Sequence, residues 1–193
     1  GKELDSLTDV ISFGVAPSFV MYFWTINEIG KFGWLLVLIY TVCCALRLAR
    51  FNLTVVEDKS LWKLNFFEGV PSPAAAGLVL LPLVLNLSGI FQLQNQSVLS
   101  SIVILATSLL MISKIPTYSF KKITIPRNLT IFLLLGIGVY LSLVIFYTFE
   151  TLFFTGIIYL MTIPISYFHY KYKNKMSVNL VNEKEEEDVE DIL

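Results

Sequence analysis

GKELDSLTDVISFGVAPSFVMYFW, Gly1 to Trp24, sets two aspartates, Asp5 and Asp9, ahead of an apolar run from Phe13 to Trp24. Four residues apart on a helix, Asp5 and Asp9 share one face about a turn from each other, and Ser12 lies near that face three residues further on. About 20 mainly apolar residues cross a hydrocarbon core of ~30 Å, so the stretch reads as a membrane helix with a polar mouth. Carboxylates in a membrane helix are costly and are expected to face a polar cavity, a partner or a cation. Stacked as these are, they repel each other unless a divalent cation offsets their charge. A plainer reading has Asp5 capping the helix start, where the dipole favours negative charge, with Asp9 at headgroup level.

Working outward, five more apolar segments follow, giving six expected spans at 5–26, 31–50, 73–91, 97–117, 128–148 and 151–170. Asn27-Glu28, Gly69-Val70-Pro71 and Gln92 to Gln96 mark turns between runs, and Pro17, Pro82, Pro116 and Pro164 lie within or near span ends. Such prolines are tolerated in membranes where neighbours satisfy the freed carbonyls. The chain is 55% hydrophobic and 15% charged, with mean hydropathy +0.71. That apolar excess is more than one soluble core could bury. The expected fold is all-α, a polytopic transmembrane helix bundle over residues 1–175, followed by an acidic, disordered cytoplasmic tail over 176–193. Cys43 and Cys44 are adjacent within an apolar run, which suits helix packing better than a disulfide framework or a zinc site.

Cytoplasmic loops are enriched in Lys and Arg. If the first span runs from inside to outside, Lys31 is the only basic residue outside, and the other 13 of the 14 are cytoplasmic. At that same face the second span ends in ALRLARFN, with Arg47 and Arg50 three residues apart, and the fourth ends near Lys114, followed by Tyr118, Lys121 and Lys122. Snorkelling and the positive-inside bias account for most basic residues at helix ends. Arg47 is the least ordinary of them, because apolar residues flank it on both sides. A cationic lining opposite carboxylates that hold a metal would suit a phosphate-rich ligand.

Gly1, Asp5 and Asp9 fit G-x3-D-x3-D, which resembles the second half of the signature D-x2-D-G-x2-A-R-x8-G-x3-D-x3-D of the CDP-alcohol phosphatidyltransferase family. Further blocks resemble the integral-membrane phosphatidylserine synthase branch of that family. They are LDSLTDVISFGVAPS (Leu4 to Ser18), CCALRLARFN (Cys43 to Asn52), EGVPSPAAAG (Glu68 to Gly77) and SKIPTYSFKK (Ser113 to Lys122). The last two spans add little to the resemblance. No D-x2-D-G-x2-A-R half precedes Gly1, so the resemblance implies a truncated chain that by itself binds metal poorly and is inactive.

The implied reaction transfers a phosphatidyl group from CDP-diacylglycerol to L-serine, giving phosphatidylserine and CMP, with Mg²⁺ or Mn²⁺ as cofactor. The resemblance makes Asp5 a metal ligand and Asp9 the general base, with some metal contact. Gly1, Arg47 and Arg50 are candidate substrate-binding residues, with Lys114 and Lys121 as further candidates. It also implies a homodimer in a bacterial inner membrane, its active site facing the cytoplasm among membrane lipid, with no nucleic-acid partner. A same-family transferase using glycerol phosphate or inositol phosphate is one alternative. From another class, a small ion-coupled transporter could use Asp5 and Asp9 to bind its ion, though transporters often show repeated halves and midplane polar residues.

Overall fold

The computed structural model describes residues 1–54, 66–90, 94–118 and 127–190. Each of the six apolar runs forms a helix. In the first, α1 (Lys2–Asp9), a π-helical stretch (Val10–Val15) and α2 (Ala16–Trp24) follow one another in continuous helical conformation. A short 3₁₀ turn at Ile26–Ile29 and Gly30, whose φ of 65° suits a glycine, reverse the chain into α3 (Lys31–Thr54). Beyond it lie β1 (Phe66–Glu68), α4 (Ser72–Ser88), α5 (Gln96–Ile112), β2 (Pro116–Tyr118), α6 (Arg127–Phe146) and α7 (Thr148–Glu190).

The π-helical stretch follows from Pro17. Proline has no N–H, so its arrival one turn downstream strips the Phe13 carbonyl of its helical partner. The Tyr40 hydroxyl, from fully buried Tyr40 on α3, donates to that carbonyl at 3.0 Å. The Ser18 hydroxyl donates to the next two carbonyls, of Gly14 at 2.8 Å and Val15 at 2.9 Å. The wider turn brings Gly14 against α3, where a Cβ would lie 3.1 Å from Cys44 Cβ and 3.2 Å from its Sγ. Small residues at such crossings let membrane helices approach closely. Cys43 and Cys44 are buried free thiols in this packing.

Four helical stretches have the length and apolarity to cross a membrane: Glu3–Trp24, Lys31–Asn52, Leu129–Phe146 and Thr148–Tyr172. The protein is a membrane protein on this evidence. The expected third and fourth spans are shorter apolar helices of 17 residues each, α4 and α5, or about 25 Å at 1.5 Å per residue. Gly89, with φ 70°, ends α4. The expected span 97–117 stops instead at Ile112, because Pro116 disfavours helix at the residue before it and the chain becomes extended. The six expected spans thus correspond to four long helices and two shorter apolar ones. At the other end, residues 176–190 of the segment expected to be disordered continue α7. Lys, Glu and Leu there are good helix formers.

The core lies where α2, α3, α4 and α5 meet, around Met21, Tyr40, Cys44, Val79 and Ile104, all fully buried. α7 packs along α4 and against β2, while α6 has α7 as its main neighbour among the described residues. None of the α6 span is buried within the chain. β1 and β2 form a three-residue antiparallel ladder, pairing Phe66 with Tyr118, Phe67 with Thr117 and Glu68 with Pro116.

Replacing Tyr40 with Phe keeps the packing but orphans the Phe13 carbonyl. The unfolding free energy in mild detergent should fall by about 1 kcal/mol. Unchanged stability would mean the helix closes without this bond.

Candidate active site

Four polar junctions tie α3 to α1, α4 and α5, and the loop before α4 to the chain after α5. The first ties α3 to α1, with the Asn52 amide donating to Ser6 Oγ at 2.9 Å. Asp5 and Asp9 lie on α1 beside it, Asp5 exposed and Asp9 half-buried. Asp5 is not the helix cap: Gly1 holds that position, and the Gly1 carbonyl accepts from the Asp5 amide at 3.1 Å. A Cβ at Gly1 would meet nothing within 4 Å, so nothing inside the fold demands glycine there.

The second and third junctions separate two arginines of similar sequence setting. Arg50 Nη1 donates to the Ile112 carbonyl at 2.9 Å, at the C-terminus of α5, where a cation also meets the negative end of the helix dipole. Arg47 Nη1 donates at 3.0 Å to the hydroxyl of Ser72, a buried residue at the start of α4. Arg47 Nε is buried and has no hydrogen-bond partner among the described residues. Cys44, one turn before Arg47, lies against Gly14 in the stretch that follows Asp9, so the aspartate-bearing helix touches α3 one turn from Arg47.

The fourth junction fixes the loop that carries Ser72. Gly69 donates its N–H to the Ile115 carbonyl at 2.9 Å, and its own carbonyl accepts from the Thr117 hydroxyl at 2.9 Å. Its φ of 77° is in the left-handed region, and a Cβ there would sit 2.7 Å from the Met111 carbonyl oxygen and 2.8 Å from that of Ser113. Glycine is required here on both counts.

The sequence of the whole chain bears on what these junctions serve. The sequence model for CDP-alcohol phosphatidyltransferase matches residues 1–168. The chain belongs to the CDP-alcohol phosphatidyltransferase family. It is 32% identical over 168 residues to a Mycobacterium leprae protein named CDP-diacylglycerol–serine O-phosphatidyltransferase, covering 86% of this chain and 55% of that one. Proteins of the same name from Helicobacter pylori (strain 26695) and Methanocaldococcus jannaschii are similar too. The first is 38% identical over 144 residues, 75% of this chain and 57% of the relative. The second is 39% identical over 123 residues, 63% and 52% respectively. The chain therefore spans about half the length of the relatives it matches. The family is enzymatic and uses divalent metals in general, which removes the support for an ion-coupled transporter.

For a member of this family, the four blocks singled out in the sequence are the four segments the fold joins at one end. Among the described residues no three His, Cys, Asp or Glu side chains are grouped as a metal site. Two carboxylate groups on one helix face nevertheless fit a hard cation such as Mg²⁺, which commonly takes one or two carboxylates and completes its shell with water and substrate phosphates. Lys114 is exposed in the turn after α5, and Lys121 lies outside the described residues. Ser72, the partner of Arg47, was not among the candidate residues, although it lay inside a quoted block.

Gly69→Ala should cost at least about 2 kcal/mol, from the left-handed backbone and the carbonyl contacts. Gly77→Ala, where an added Cβ meets nothing within 4 Å, should change stability by no more than about 0.5 kcal/mol. Thermal unfolding in detergent compares them, and equal effects would remove the tight junction from this account.

Proposed function

We propose that this chain is the larger part of an enzyme that transfers the phosphatidyl group of CDP-diacylglycerol to L-serine, yielding phosphatidylserine and CMP. The observation that carries the reading is the convergence of the four branch-like segments on the end that presents Asp5, Asp9 and Arg47. The relatives' shared name supports serine as the acceptor.

In this reading the serine hydroxyl oxygen attacks the phosphatidyl phosphorus, the bond from that phosphorus to the CMP oxygen breaks, and CMP departs. Serine is a poor nucleophile at neutral pH, so a carboxylate positioned to accept its proton is what the step needs. Asp9 serves as that base. Asp5, with some contact from Asp9, would hold Mg²⁺ or Mn²⁺, which when bound supplies charge neutralisation at the diphosphate. Gly1 belongs to the same motif half as Asp5 and Asp9 and is the further candidate for substrate contact there. Arg47, with an unspent N–H in a buried setting, binds an anionic group of one substrate. Arg50 contributes by holding α3 against α5 and, with Lys114, adds positive charge around the site, and Lys121 is a further candidate by its place in the sequence.

The basic residues concentrate on one side of the expected spans, which supports a cytoplasmic active site, in a bacterial inner membrane. There the acyl tails stay in lipid while serine and CMP exchange with water. A homodimer belongs to the same reading.

The test uses membranes containing the chain joined to a segment bearing the D-x2-D-G-x2-A-R half of the motif. Labelled L-serine, CDP-diacylglycerol and Mg²⁺ or Mn²⁺ should give metal-dependent label in phospholipid together with CMP release. Asp9→Asn should lower the rate by about 10²–10⁴-fold. Labelling only from glycerol phosphate or inositol phosphate would replace serine as the acceptor. Arg47→Ala should raise KM for serine or CDP-diacylglycerol about tenfold, on the order of 1.4 kcal/mol. Unchanged kinetics would take Arg47 out of the site.

A further inference from the structure

The last helix offers a second buried donor near Arg47. Tyr159, on α7, has a buried hydroxyl with no hydrogen-bond partner among the described residues, and the same holds for Arg47 Nε. The two side chains lie within Coulombic reach of each other. They come from residues 112 apart in the chain (159 − 47), and α4 links them: its first turn supplies Ser72 to Arg47, and its Ala74 lines the same cleft as Tyr159. An apolar cleft of about 390 Å³ between α4 and α7 includes Tyr159 in its lining, together with Gly77 and Gly156.

A buried hydroxyl and a buried guanidinium N–H that pair with nothing each cost roughly 1–3 kcal/mol, and such groups in a folded protein call for a ligand, an ion or a water. Both are donors in this setting: an arginine N–H can only donate, and a tyrosine O–H donates to an acceptor placed before it. Neither satisfies the other through Arg47 Nε, which leaves an acceptor-rich group as the natural occupant between them. In apolar surroundings a charge-assisted bond to an oxyanion is about twice as strong as one between neutral groups.

We propose that Tyr159 is a substrate-binding residue, forming with Arg47 a two-donor subsite for an oxyanion, either the carboxylate of the amino-acid acceptor or a phosphate of the nucleotide lipid. This deepens the reading of Arg47 as an anion ligand and rests on it. The consequence is that α7, beyond the segments carrying the family's motif, completes the site rather than only anchoring the chain in the membrane.

Tyr159→Phe removes the donor and little else. In the chain joined to its upstream half-motif, KM should rise about fivefold or more for one substrate, with kcat within about twofold and no loss of thermal stability in detergent. A rise for L-serine assigns the carboxylate, and a rise for CDP-diacylglycerol assigns the phosphate. Unchanged KM for both, or a fall in kcat and stability without a KM change, overturns the proposal. A second arm does not depend on the identity of the acceptor. Inorganic phosphate and acetate should each be titrated against the thermal midpoint of the purified wild type and of Tyr159→Phe. Stabilisation by either anion that is lost in the variant supports the subsite even if no serine is transferred. Equal responses in the two proteins remove it, whatever the fate of the serine assignment.

Discussion

A carbonyl freed inside a lipid bilayer finds no water, so another part of the chain must supply its partner. Pro17 frees the Phe13 carbonyl, and the Tyr40 hydroxyl supplies it across the gap between the first helix and α3. Much of the arrangement of the site end depends on this bond. It holds the widened turn after Asp9 against α3, which brings Gly14 onto Cys44 and fixes how the α1 aspartates stand relative to Arg47 one turn further along. The π-helical geometry is thus the form the helix takes when a proline, a backing serine and a tyrosine from a neighbour are satisfied together.

From there α3 acts as the strut of the site. Three of its polar side chains reach three different elements: Asn52 to α1, Arg47 to α4 and Arg50 to the end of α5. The ladder closes the remaining side, since Gly69 and Thr117 bind the loop before α4 to the chain after α5. These bonds individually contribute little, about 1 kcal/mol or less within membranes. Their value is geometric, because each fixes a helix end that apolar packing would leave free to slide. The apolar surfaces decide that the helices associate, and the polar junctions decide at what height.

The same economy explains why Arg47 and Arg50 differ. Arg50 meets a helix C-terminus, where its charge complements exposed carbonyls. Arg47 meets a single serine hydroxyl and keeps a buried N–H in reserve. One arginine holds the scaffold together, while the other is left able to bind something the chain does not itself provide.

Much of this was legible in the chain as written. Apolar run length settled the all-helical membrane class, and the i, i+4 spacing of Asp5 and Asp9 with the ordered blocks settled the family, because both are local properties of sequence. The structure moved the helix ends: α4 and α5 stop at 17 residues each, since Gly89 and the extended chain before Pro116 override hydropathy. Apolar flanks set Arg47 apart in the sequence, but only the tertiary structure showed what each arginine meets, and only it singled out Ser72 and Tyr159. The reason is physical. A hydroxyl or guanidinium is defined by what lies opposite it, and here the partners of Arg47 and Arg50 lie 25 and 62 residues away in the chain, a relation that no local pattern encodes.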